Sequence, residues 1–131
     1  MDFIFEYVTS VLKMEATDYG DKKSVKQHNR LANRIRAIAY EIDRMDSTTK
    51  MEFYELLSHE NESVRLWVAH HILEVMNYDN MCREKALKFI SHIADTDDGI
   101  SGLGNKMWLK GWLKEHPSDR ELLYRKFPDR F

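Results

Sequence analysis

Residues 61–76, NESVRLWVAHHILEVM, decide the fold. Asn61 or Ser63 can cap a helix there, because a short polar side chain accepts from the N–H groups that a first turn leaves unpaired. Apolar residues then recur at Val64, Trp67, Val68, Ile72, Leu73, Val75 and Met76. Spacings near three and four place them on one wide helical face. Ala69 is small enough to let a neighbouring helix approach closely. Just upstream, residues 51–60, MEFYELLSHE, form another helical stretch joined by only a few residues. So short a connection predicts two antiparallel helices sharing a core.

Outward from this pair the chain keeps the same character. At 131 residues it is sized for one domain, 1–131, with a core that needs neither disulfides nor metal. Five Gly and two Pro are too few for the tight turns of a β protein, so long helices are favoured. The net charge of −2 gives no global argument for nucleic acid or an anionic membrane. Cys82 is the single cysteine, which excludes an intrachain disulfide and suits a reducing compartment. The N-terminal run carries Asp2 and Glu6 and lacks a basic lead, so it does not read as a signal peptide. No apolar stretch approaches the ~18–20 residues of a membrane span. The expected location is the cytoplasm.

Seven helices are predicted. Residues 2–17 carry a stripe of Phe3, Tyr7, Val8, Val11, Leu12 and Ala16, widened by Ile4 and Phe5, with Gly20 as a stop. Asp21 or Ser24 can cap the next helix, about 22–45, whose seam is Leu31, Ile35, Ile38, Ile42 and Met45. A polar break at 46–49 precedes the third helix, with Met51, Phe53, Tyr54, Leu56 and Leu57 apolar. After the fourth helix and a turn at 77–80, a fifth covers about 81–94 with Met81, Ala86, Leu87, Phe89, Ile90 and Ile93 inward. Residues 95–105, DTDDGISGLGN, hold three of the five glycines and are expected as the longest, most mobile loop. A sixth helix carries Met107, Trp108, Leu109, Trp112 and Leu113. Ser118 caps a short seventh, with Leu122, Leu123 and Phe127 packing back. The expected architecture is all-α: antiparallel hairpins in a short right-handed stack or an irregular bundle.

Two segments carry a resemblance. LLSHENESVRLWVAHHIL at 56–73 resembles a HEAT-type repeat, with Val-Arg after a polar hinge and Ala four residues beyond Arg65. Read with GDKKSVKQHNRLANRI at 20–35, it looks like a small family of bacterial all-helical proteins of unassigned function with HEAT-like pairs, some among polymorphic-toxin immunity genes. Gly20, Asp21, Lys23, Asn29 and Arg30 carry the first block. His59, Asn61, Val64, Arg65, Trp67, Ala69 and His71 carry the second. The likeness covers about the first two thirds of the chain, and Trp108 and Trp112 lie outside it. It implies a HEAT-like domain and, for some members, immunity by binding a cognate toxin.

Sites of chemistry are sparse. His59-Glu60 opens like a zinc-protease motif, but Ser63 stands where the second His belongs. His70 and His71 are adjacent and so diverge by about 100° on a helix. Asp95, Asp97 and Asp98 begin like a calcium loop, yet Gly99, Ile100 and Lys106 break it. Cys82 sits near Arg83 and Lys85 but has no local base. No catalytic residue, metal or cofactor is expected. The notable surface is a basic ridge at Lys22, Lys26, Arg30 and Arg34, stepping by four. Such a ridge fits a protein partner's acids or, as the alternative, nucleic-acid or phosphate groups. With Asp97 and Asp98 in the 95–105 segment, it forms the candidate partner-binding set. The expected activity is non-catalytic protein binding: stoichiometric capture of a toxin. Enzyme action would require Arg30, Arg65 and His70 to gather in a pocket.

Overall fold

The computed structural model describes residues 2–124, and the expectation for Phe127 lies outside them. Among the described residues there are seven α-helices: α1 Phe3–Glu15, α2 Lys22–Asp43, α3 Ser47–Glu55, α4 Glu62–Glu74, α5 Asn80–Thr96, α6 Ile100–Glu115 and α7 Pro117–Tyr124. A 3-10 turn, Leu56–Ser58, follows α3. No strand occurs among the described residues. The contacts divide the chain into two compact units, Met1–Asn77 and Tyr78–Phe131.

Short polar caps set the helix starts. Asp2, Asp21, Asp46, Asn61 and Asp79 accept backbone N–H bonds from Phe5, Lys23, Thr49, Val64 and Cys82 at 2.8–3.1 Å. At Asp46 and Asp79 those donated bonds hold the carboxyl below its usual range. The seventh helix departs from expectation: Pro117 opens it, with Ser118 inside the first turn. Proline suits that place, since its fixed φ is helical and its missing N–H has no partner to lose.

In the first unit α1 and α2 run antiparallel. Thr17 meets His28 at 3.0 Å, and Glu6 meets Arg34 further along. The core gathers Tyr7 and Val11, then Ile35, Ile38 and Ile42, with Phe53, Val64, Val68 and Ile72, all fully buried. The Tyr7 and Phe53 rings pack edge to face, with centroids 4.9 Å apart and planes at 84°. The main helical neighbour of α4 is α1 rather than α3, because α3 is only nine residues long. Several expected core residues lie outside instead. Phe5, Leu12, Met45 and Met51 are exposed, while Met14 and Ser10 are buried.

In the second unit α5 and α6 pack side by side and α7 closes against both. The inward face of α5 runs Cys82, Ala86, Ile90, Ile93, so Cys82 takes the place expected for Met81, which is 70% exposed. The expected long loop at 95–105 is a correction. Only residues 97–99 separate the helices, and Gly102 and Gly104 lie within α6. Gly102 permits this tight turn: a Cβ there would overlap the Asp97 carbonyl group. Asp97 Oδ1 also accepts from Gly99 N–H at 2.7 Å, fixing the turn. Gly102 therefore serves close packing, whereas composition alone suggested freedom.

Candidate functional site

The basic ridge is built on the first half of α2. Asp21 starts the helix, and the four-residue spacing aligns Lys22, Lys26, Arg30 and Arg34. None of residues 22–34 is buried; the core of α2 begins at Ile35. This half-helix therefore reaches beyond the packed interior of its unit. Lys22, Lys26 and Arg30 are exposed, and no ion pair among the described residues involves them.

Arg34 differs from its three neighbours. Its Nε and Nη2 donate to the two Glu6 oxygens at 2.6 and 2.8 Å, and its guanidinium lies 5.8 Å from the Phe3 ring centre. The hydrogen bond from Arg34 holds the Glu6 carboxyl below its usual range. Arg34 thus ties α2 to α1 before it can serve a partner. Arg36 reaches Glu74 at 3.6 Å. The acids at the far end of α2 have structural work too: Asp43 pairs with Lys50 at 3.0 Å and accepts Asn77 N–H at 2.8 Å.

The second candidate group lies on the other unit. Asp97 is half-buried in its turn, while Asp98 is exposed. They border an open groove with Ala94, Asp95, Ile100, Leu103 and Lys106. Arg30, Arg65 and His70 do not gather. Arg65 donates to the His59 carbonyl at 2.6 Å, and His70 Nδ1 lies 3.1 Å from Glu74. The groove lined by Asn33, Arg36, Tyr40, Glu41, Glu74 and Val75 contains none of the three. His59 is a turn residue whose Nδ1 accepts from Asn61 N–H at 3.0 Å. Among the described residues no group of three His, Cys, Asp or Glu side chains is placed to hold a metal ion, and no helix is long and apolar enough to cross a membrane.

Two buried polar clusters escaped sequence reasoning. Tyr7 Oη lies 2.6 Å from His71 Nδ1 in the first core. Burial pushes the Tyr7 phenol well above its usual range and His71 down to about 4. His71 is therefore neutral, and one hydrogen bond joins its Nδ1 to the Tyr7 hydroxyl. In the second unit Asp119 accepts from Arg83 at 3.0 and 2.6 Å and from Trp112 Nε1 at 2.8 Å. Burial pushes the Asp119 carboxyl up, but the Arg83 and Trp112 bonds outweigh it and hold it low. Trp108, Trp112 and His116 stack in a column, with centroids 5.1 and 3.6 Å apart. The column is half-buried, so the core of α6 is carried by Leu109 and Leu113. Only its spacing of four was visible beforehand; the Tyr7–His71 pair spans 64 positions and has no local signal.

Comparison with known proteins finds no matching family profile, no matching curated protein and no matching solved structure.

Proposed function

We propose that this chain is a non-catalytic protein-binding protein, an immunity protein that neutralises a cognate toxin by stoichiometric capture. The observation that carries the reading is the exposed cationic half-helix: Lys22, Lys26 and Arg30 share one face and have no internal ion pair among the described residues. An unneutralised row of this kind attracts an acidic partner at long range and fixes its register on contact. The resemblance of residues 20–35 and 56–73 to HEAT-like bacterial proteins, some of them among polymorphic-toxin immunity genes, supports the same use.

The test is the triple variant Lys22→Glu/Lys26→Glu/Arg30→Glu, co-expressed with the toxin-like product of a neighbouring reading frame. Arg34 is left intact because it ties two helices together. The expected result is lost protection and binding weakened by at least ~10-fold, with helical content unchanged. Full protection by the folded variant would remove the ridge as the site. The second reading is phosphate binding on the same three cations. It requires affinity for random duplex DNA that falls with salt at a log–log slope of about −2.7, as three phosphate contacts would give.

A further inference from the structure

We propose that the outward face of α6 pairs antiparallel with the same face of a second copy of this chain. The core side of α6 is Gly102, Asn105, Leu109 and Leu113. Opposite it lies a second seam: Ile100, Gly104, Met107, Gly111 and Lys114, stepping by 4, 3, 4 and 3. That alternation is the spacing by which one helix seats along another. Ile100 is 91% exposed, Met107 67%, and Leu103 beside them 60%.

The two glycines on this seam have no internal purpose. A Cβ at Gly104 or Gly111 would meet nothing within 4 Å. Each glycine weakens the helix by ~1 kcal/mol relative to alanine. Gly102, by contrast, is required by the turn beneath it. Bare backbone one heptad apart on an exposed face lets a second helix come close.

Charge selects the occupant and its direction. Acids cluster at the start of the helix, Asp95, Asp97 and Asp98, and lysines follow along it at 106, 110 and 114. A parallel copy would set like charges side by side. An antiparallel copy centred on Met107 sets Lys114 of each chain near residue 100 of the other, with Asp98 within reach of the lysine stem. The face is thus complementary to itself under a two-fold axis. Sixteen residues give a contact about 24 Å long, at the small end for a specific interface, so the dimer dissociates in the ~micromolar range.

Sedimentation equilibrium of the full chain between about 5 and 300 µM brackets that range. The expected result is reversible dimerisation that Met107→Glu weakens by at least ~10-fold, with helical content retained. Lys114→Asp should weaken it too, and Asp98→Lys/Lys114→Asp should restore it, since the swap re-forms both pairs of an antiparallel dimer. A monomer at every concentration overturns the proposal, as does association untouched by Met107→Glu or a charge swap that fails to rescue. Met107→Glu and Lys114→Asp leave Lys22, Lys26, Arg30, Asp97 and Asp98 intact, so in those two variants toxin capture can fail or stand separately.

Discussion

Mild acid should loosen the first unit through one buried imidazole. His71 is 3% exposed, and burial holds its folded-state pKa at about 4 against 6.5 for the free side chain. The folded value lies below the unfolded one, so the unfolded chain takes up the proton first. The contribution is complete above about pH 6.5 and is lost as pH falls towards 4. At pH 5 the unfolded histidine is almost fully charged and the folded one mostly neutral. With ~1.4 kcal/mol per pH unit, the loss between pH 7.5 and 5 is about 2 kcal/mol. Urea unfolding at those two pH values, followed by circular dichroism, measures it. The control is Tyr7→Phe/His71→Leu, which removes both polar partners and leaves no orphaned hydroxyl. That variant should lose most of the pH dependence in this window, which lies above the carboxylate range. Equal stability of the wild type at both pH values would refute the argument. So would a double variant that kept the full slope.

Four further outcomes follow from the geometry. Asp119→Ala should cost the second unit about 3 kcal/mol in thermal or urea unfolding, because Trp112 loses its acceptor and Arg83 its bidentate partner. Gly102→Ala should destabilise by about 3 kcal/mol, since the α5–α6 turn must open to admit a methyl group. Gly104→Ala, measured at low protein concentration, should instead stabilise by ~0.5–1 kcal/mol, the difference in helix propensity at an open position. Asn61→Ala should cost about 1 kcal/mol by removing the bond to Val64 N–H, read from the urea midpoint.

Much of the candidate surface was legible as spacing. Lys22, Lys26, Arg30 and Arg34 announce one ridge by their step of four, but the assignment of Arg34 to Glu6 joins positions 28 apart. Nothing near Arg34 names that partner. The seam on the outward side of α6 was hidden for another reason. Gly102 and Gly104 read as loop residues, whereas the helix begins at Ile100 and holds both.

The sequence by itself determined the number of helices, the Ile35–Ile38–Ile42 seam, and two short choices of cap, Asn61 or Ser63 and Asp21 or Ser24, of which Asn61 and Asp21 are used. These depend on neighbours within one turn, where the geometry of a single helix decides which side chains and N–H groups meet. Only the tertiary structure decided that His71 is buried against Tyr7, that Asp119 binds Arg83, and that residues 100–105 are helical. Those outcomes turn on which distant groups lose water together, and a buried polar atom accepts whichever partner the packing brings within reach.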